Sequence, residues 1–202
     1  MRTKPDKRSR ILQAAVKVFA EKGFYNARVA EIAKRAGVAD GTIYLYFKNK
    51  HELLILIFEE EMEKFIAQIQ REIDAEADVV SKLRRFVRTH LSFVRKNPKL
   101  AQVFQLELRQ SNKFIKEYTG SKLKEYLNII SNLVEAGQAA GSIRKDIHPG
   151  LFKRALFGAL DETATHWILL KNGKYDLNDS AEQIAEIFIR GVVISKNKNV
   201  SS

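Results

Sequence analysis

Residues 40–50, which read DGTIYLYFKNK, place hydroxyl, aromatic and ammonium groups within about three helical turns. In a helix, Ile43 and Phe47 lie one turn apart, and both are expected to face inward. The positions left on or near the outer surface are Gly41, Thr42, Tyr44, Tyr46 and Lys48. Such side chains make hydrogen bonds, apolar contacts and ion pairs, so this stretch is expected to lie against a binding partner.

The residues before this stretch predict a short helix joined to it by a tight turn. The inner face of that helix consists of small or apolar residues: Ile32, Ala33 and Ala36. Two helices that cross steeply through a short turn need a small residue at the contact, Ala33, and one that accepts a left-handed backbone, Gly37. Asp40 is the expected N-cap of the second helix. Together these features indicate a helix-turn-helix.

The positive charge of the chain is concentrated in its first quarter. Residues 1–50 carry 12 Lys and Arg against 4 Asp and Glu, whereas the whole chain carries 35 against 24 and a net charge of +11. A basic module on a nearly neutral body predicts that one part of the protein contacts a polyanion. Nucleic acid is the simplest such partner, an anionic membrane surface is the competing one, and a solvated charged surface is the alternative without function.

Composition restricts the class of protein further. The chain has 202 residues, of which 45% are hydrophobic, and only three prolines, as in an ordered protein of one or two domains. It contains no cysteine, which excludes disulfides and thiolate sites. No apolar run reaches the roughly 18 residues of a membrane span, and the N-terminus lacks a signal-peptide pattern, so a cytoplasmic protein is expected.

Helical periodicity continues through the rest of the chain, and sustained strand alternation does not occur. We therefore expect an all-α protein, with a three-helix DNA-binding domain at residues 1–48 and a helical ligand-binding and dimerisation domain at residues 49–202. A long helix beginning near Lys50 carries an apolar stripe and can link the two domains. The other helices are expected at about residues 7–21, 79–95, 98–110, 120–140, 149–171 and 180–196.

In helix-turn-helix proteins the second helix enters the major groove of DNA. Thr42 and Tyr44 are then placed for base edges or thymine methyl groups. Phosphate contacts are expected from residues at or beyond the helix ends: Arg28, Tyr46, Lys48 and Lys50. Gly41 has no side chain, which lets the start of the helix approach the DNA backbone.

The segment AEIAKRAGVADGTIYLYFKNKHELL resembles the most recognisable block of the TetR family of bacterial transcriptional regulators. This resemblance implies an all-helical body that binds a small inducer and forms a homodimer. The segments LAQVFQLELRQSN, EYLNII and FGALDETATHWIL are similar to the FadR-type repressors of Gram-positive bacteria. That branch represses fatty-acid degradation genes and is released by long-chain acyl-coenzyme A (acyl-CoA), which is therefore the expected effector. No cofactor and no metal are expected.

Effector-binding residues are expected on the middle helices. Side chains suited to an acyl chain, and equally suited to an ordinary core, include Phe93, Phe104, Leu108 and Ile130. Polar residues lie among apolar neighbours at His90, Gln105 and Arg109. Since arginine binds phosphate in a bidentate way, Arg109 is a candidate phosphate ligand. Arg84 and Arg88 are candidates for the nucleotide end of CoA, although a run of arginines is also typical of a solvated face.

A palindromic operator requires a two-fold protein whose reading heads lie about 34 Å apart. The last two helices carry more apolar surface than one face of a monomer needs, and the TetR resemblance implies that they pair with their symmetry mates as a four-helix bundle. The residues expected at this interface are Phe157, Leu160, Trp167, Ile184, Phe188 and Gly191. A purely intramolecular core is the alternative, because a buried helix has the same stripe.

Three rival functions differ in the sequence features that they require. An enzyme is not expected, because no His-Glu-x-x-His, Gly-x-Ser-x-Gly or phosphate-binding loop occurs and no cysteine is available as a nucleophile. A repressor of an efflux pump that senses cationic drugs stays open, because carboxylates and an aromatic ring are present at Glu107, Asp161, Glu162 and Trp167. A non-specific DNA-compacting protein would bind all sequences alike, with a steep dependence on salt.

Overall fold

The computed structural model of the protein describes residues 6–107, 122–170 and 175–194. These residues form nine α-helices and one π-helix, which confirms the all-α prediction. The helices are Lys7–Lys22 (α1), Val29–Ala36 (α2), Asp40–Tyr44 (α3), Lys50–Asp74 (α4), Val79–Lys96 (α5), Pro98–Gln102 (α6), the π-helix Val103–Glu107, Lys122–Ala139 (α7), Pro149–Leu169 (α8) and Leu177–Val192 (α9). Among the described residues, no helix combines the length and the apolarity needed to cross a membrane.

Packing divides the described chain into two compact units. The first unit comprises residues 6–65, 94–107 and Lys122, and the second comprises residues 66–93, 123–170 and 175–194. Helices α4 and α5 each contribute residues to both units. The domain boundary expected after residue 48 stays a prediction.

The first unit contains the helix-turn-helix. Ile32 and Ala33 of α2 are fully buried, and the N–H of Val38 donates to the carbonyl of Ala33 at 3.1 Å across the turn. Gly37 adopts the left-handed conformation, with φ 66° and ψ 43°, as the turn requires. The N-cap of α3 is Ala39 rather than the expected Asp40, because the helix begins one residue earlier than its sequence pattern indicates. Asp40 lies instead in the first turn, where its carboxylate interacts favourably with the positive end of the helix dipole.

The second unit is built on a core shared by α5, α7, α8 and α9. Its largest apolar side chains include Leu83, Phe86, Ile130, Leu156 and Leu160. Helix α9 begins at Leu177, three residues earlier than expected, because the carboxylate of Asp176 accepts hydrogen bonds from the N–H groups of Asn178 and Asp179 at 2.7 and 3.3 Å. It ends at Val192, since Val193 is extended and bridges to Ile143.

The helix expected at residues 98–110 is also corrected. It starts at Pro98 as expected, but its α-helical part ends at Gln102 and a π-helix continues to Glu107. Residues 108–110 and the start of the helix expected at residue 120 lie outside the described residues.

Candidate DNA-binding surface and effector region

Helix α3 and the turn after it divide into a buried and an exposed side. Ile43 and Phe47 are only 2% exposed, which confirms that both anchor the helix inward. By contrast, the exposed fraction is 59% for Tyr44, 81% for Leu45 and 42% for Tyr46. An aromatic and apolar surface is therefore presented beside the basic residues of the first unit.

The remaining residues expected at this surface are also accessible. Thr42 is half-buried, and the side chains of Gly41 and Lys48 are exposed positions. A Cβ atom built on Gly41 would meet no atom of the described chain within 4 Å, so the backbone of α3 is open to close approach. The backbone N–H of Lys48 donates to the carboxylate of Glu52, which fixes the start of α4 beneath it.

Arg28 lies at the N-terminus of α2 with an exposed side chain. Its backbone N–H donates to Oε2 of Glu31 at 3.2 Å, and the same carboxylate pairs with Lys22. The hydrogen bond from Lys22, followed by that from Arg28, lowers the pKa of the Glu31 carboxyl. These contacts fix the backbone at Arg28 while its guanidinium faces solvent.

The phosphate contact expected of Lys50 is corrected by the structure. Its Nζ donates to the carbonyls of Tyr25 and Ala27, each at 3.0 Å, and lies 4.7 Å from the ring centroid of Phe24. Burial lowers the pKa of this ammonium group. Lys50 therefore holds the loop that precedes α2 instead of facing outward.

Two exposed residues were missed by the sequence interpretation. Leu45 lies two residues after the buried Ile43, about 200° around the helix from it, so helical spacing itself places this apolar residue on the outer side. Tyr25 is 62% exposed in the loop that Lys50 holds, close to Arg28 in sequence. The cluster of tyrosines on both sides of the helix-turn-helix was the available signal.

In the second unit, a polar pair is buried where α5, α7 and α8 converge. Nδ1 of His90 on α5 lies 2.6 Å from Oη of Tyr126 on α7. The ring centroids of Phe86 and Phe157 lie 5.4 and 6.1 Å from that of Tyr126. Desolvation lowers the pKa of His90 to about 4, whereas burial and then the charge of Asp161 raise the pKa of Tyr126. Both side chains are therefore neutral at pH 7.

The residues expected to bind the effector are distributed over both units. Ile130 is fully buried and Phe93 half-buried in the second unit. Phe104 and Gln105 are half-buried in the π-helix of the first unit, where the Phe104 ring lies 5.1 Å from that of Phe58. Leu108 and Arg109 lie outside the described residues.

The arginines expected at the nucleotide end of CoA are engaged within the second unit. Nη2 of Arg84 lies 2.8 Å from the Glu186 carboxylate, and Nη2 of Arg88 donates to Glu182 at 2.7 Å. The hydrogen bond from Arg88 is the largest cause of the lowered pKa of Glu182. These pairs join α5 to α9. The expected role of Arg84 and Arg88 as nucleotide ligands stays a prediction.

The residues expected at the dimer interface differ in exposure, and the interface itself stays a prediction. Leu160 is fully buried within the unit, and the rings of Phe157 and Phe188 pack on Tyr126 and Phe152. Trp167 and Ile184 are half-buried, and Gly191 is exposed. The exposed stripes of this region consist of Leu151 and Gly158 on α8, and of Ile187 and the expected Gly191 on α9 together with Ile194 just beyond its end. A Cβ atom at either glycine would meet no described atom within 4 Å.

A surface cavity of about 240 Å³ lies at the C-terminal part of α8. Its lining includes Glu162, His166, Trp167 and Tyr175. Within the part of the chain that the structure describes, no group of three His, Asp or Glu side chains is arranged to hold a metal ion.

Two family descriptions match successive parts of the chain. The one for "Bacterial regulatory proteins, tetR family" matches residues 11–57, and the one for "YsiA-like protein, C-terminal region" matches residues 58–191. The fatty acid metabolism regulator protein of Bacillus subtilis (strain 168) is 40% identical over 192 residues, which cover 95% of this chain and 98% of that protein.

Two solved structures are similar throughout. They are the transcriptional regulator FadR from Bacillus subtilis in complex with stearoyl-CoA and the fatty acid degradation regulator FadR from Bacillus halodurans, with TM-scores of 0.85 and 0.84. Each is 40% identical and covers 91% of this chain and 98% of its own. These relatives are regulators, which supports the prediction that the chain is not an enzyme, and they do not favour the efflux alternative. The chain belongs to the TetR family of bacterial regulatory proteins.

Proposed function

We propose that this protein is a homodimeric cytoplasmic repressor that binds a palindromic operator of fatty-acid degradation genes and releases it when long-chain acyl-CoA binds. The regulator from Bacillus subtilis that is similar over 95% of the chain supports the choice of genes. The similar structure that holds stearoyl-CoA supports the choice of effector. The observation that best supports DNA binding is that Ile43 and Phe47 are buried while the tyrosines beside them, Tyr44 and Tyr46, are exposed.

At the operator, α3 lies in the major groove, with its exposed residues toward the bases. Thr42, Tyr44 and Leu45 face base edges and thymine methyl groups. Phosphates are contacted by the exposed residues around the helix ends, which are Arg28, Gly41, Tyr46 and Lys48. Lys50 acts indirectly, since its bonds to the carbonyls of the 25–27 loop position the start of α2.

The two-fold symmetry comes from the exposed stripes of α8 and α9, where Gly158 and Gly191 permit close helix approach in a four-helix bundle. Replacing Ile187, the more exposed of the two isoleucines in the α9 stripe, by Glu places a charge in that interface. We expect the variant to sediment as a monomer and to lose operator affinity. Tyr175→Glu, at a similarly exposed apolar residue outside both stripes, is the matched control and stays dimeric.

Two structural links support coupling between effector and DNA. Helix α4 begins directly after the helix-turn-helix and contributes residues to both units. Within the first unit, α6 holds α1, because Nε2 of Gln102 donates to the Ala20 carbonyl at 2.8 Å and Lys99 pairs with Glu21 at 2.9 Å. The effector releases DNA if it binds more tightly to a conformation whose reading heads no longer match the operator.

The test is operator binding measured by fluorescence anisotropy at fixed salt, with DNA from upstream of this gene and of neighbouring acyl-metabolism genes. Tight binding that micromolar palmitoyl-CoA abolishes, and that free CoA leaves unchanged, is the expected result. Tight binding that ignores palmitoyl-CoA refutes the proposed effector, whereas equal affinity for all sequences refutes specific repression.

A further inference from the structure

The buried pair of His90 and Tyr126 differs chemically from the surrounding core of the second unit. The large buried side chains around it on α5, α7 and α8, such as Phe86, Ile130 and Leu160, are apolar. Removing a hydroxyl and an imidazole from water costs free energy, which their mutual hydrogen bond only offsets. Apolar side chains of the same size would fill this space without that cost. The pair is therefore suited to a polar ligand group that lies among large apolar side chains.

The charge state of the pair selects the kind of polar group. Since burial keeps both His90 and Tyr126 neutral at pH 7, they suit a neutral acceptor. Carboxylates and phosphates are instead bound best by cations. The rings of Phe86 and Phe157 lie on Tyr126 and suit the methylene groups beside a carbonyl. Asp161 adds negative charge near the phenol, which disfavours an anionic ligand further.

An acyl-CoA carries one such neutral acceptor at the end of its apolar chain, the thioester carbonyl. Building on the repressor function proposed above, we propose that Tyr126 donates a hydrogen bond to the thioester carbonyl oxygen of bound acyl-CoA and that His90 positions the Tyr126 hydroxyl. When the imidazole donates from Nδ1 to Oη, the hydroxyl hydrogen is directed away from His90. The site then distinguishes a thioester from an alkyl chain of equal length.

The test compares palmitoyl-CoA with S-hexadecyl-CoA, a thioether that has the same chain length and no carbonyl. We expect the protein to bind the thioester about tenfold more tightly, in keeping with one buried hydrogen bond. Tyr126→Phe removes the donor and is expected to bind both ligands alike. Ile130→Val, one turn further along α7 and also buried, is the matched control and keeps the tenfold preference.

A second readout separates recognition from packing. With palmitoyl-CoA labelled at the carbonyl carbon, the infrared stretch of that carbonyl is expected to shift to lower frequency on binding to the unsubstituted protein, and not on binding to Tyr126→Phe. His90→Asn keeps a donor near the position of Nδ1 and retains most of the shift, whereas His90→Leu reduces it. If Tyr126→Phe does not fold, the difference in infrared shift between His90→Asn and His90→Leu still tests the proposal.

The outcomes distinguish this inference from the function on which it rests. If the unsubstituted protein binds thioester and thioether equally and both release the operator, the carbonyl contact is refuted and the repressor function stands. If Tyr126→Phe keeps the full preference and the infrared shift, Tyr126 is not the donor. If neither ligand binds, both proposals are refuted.

Discussion

The two polar clusters of the protein lie in opposite environments. Tyr44 and Tyr46 beside α3 are exposed, whereas Tyr126 is buried against His90 in the second unit. An exposed hydroxyl meets DNA without displacing protein atoms, but a buried one meets a ligand only after neighbouring side chains move. We therefore propose that DNA is recognised by a preformed surface, whereas effector binding requires a conformational change that can be linked to DNA release.

The largest effect expected at the preformed surface comes from Tyr44→Ala. Loss of one groove contact lowers operator affinity by about 1–3 kcal/mol, with the free energy of unfolding unchanged within about 0.5 kcal/mol. Tyr175→Ala is the control, because Tyr175 is similarly exposed, at 66%, but lies in the second unit. Anisotropy titrations measure the difference, and equal losses in the two variants contradict a specific role for α3.

Lys48 and Lys50 lie two residues apart but differ in exposure: Lys48 is exposed, whereas the ammonium group of Lys50 is partly buried. Lys48→Ala removes an exposed cation, so the slope of log affinity against log salt decreases in magnitude by about 0.9 while stability is retained. Lys50→Ala removes charge-assisted bonds to two carbonyls and lowers the free energy of unfolding by about 1–3 kcal/mol, with little change in salt slope. The assignment is wrong if the two variants exchange these effects.

Leu45 allows the exposed surface to be mapped onto single bases. Replacing a contacted thymine by uracil removes one methyl group and is expected to weaken binding by about 0.8 kcal/mol. In Leu45→Ala that replacement has no further effect, because the apolar partner is already absent. Leu151→Ala, at an exposed leucine on α8, keeps the sensitivity to uracil. Additive losses at every thymine argue against a methyl contact by Leu45.

The smallest effect is expected at the ion pairs between α5 and α9. Because Arg88 lowers the folded-state pKa of Glu182, the pair stabilises the protein above the ordinary Glu pKa, and this contribution disappears as pH falls through the lowered value. Glu182 is half-exposed, so Glu182→Gln is expected to cost at most about 0.5 kcal/mol at pH 7. In urea unfolding, the variant and the parent protein converge only once the pH falls below the lowered pKa of Glu182. A cost that persists there indicates lost packing.

The helix-turn-helix was predictable almost residue by residue, because its determinants are local. Gly37 at the turn and the four-residue spacing of Ile43 and Phe47 fix which side of α3 is buried. The errors there are small: the N-cap is Ala39 rather than Asp40, and the exposed Leu45 was overlooked although the spacing of Ile43 and Phe47 places it on the opposite side. Lys50 was misassigned, since its carbonyl partners lie more than 20 residues away in the chain.

The second unit was less predictable, because its chemistry depends on contacts between distant segments. Arg84 and Arg88 resemble a phosphate site until α9 places Glu182 and Glu186 beside them. The apolar stripes of α8 and α9 were recognised, but periodicity alone does not tell which part of a broad stripe packs inside the unit. Tyr126 was not singled out, since its partner His90 lies 36 residues earlier.

In the proposed mechanism, one conformational equilibrium couples the effector region to the DNA-binding surface. Linkage requires the coupling to be reciprocal, so the factor by which palmitoyl-CoA weakens operator binding must equal the factor by which the operator weakens palmitoyl-CoA binding. Calorimetric titration of palmitoyl-CoA into the protein, with and without saturating operator, measures the second factor directly. Equal factors of about 5–150 are predicted, and an affinity for palmitoyl-CoA that the operator leaves unchanged would contradict the account.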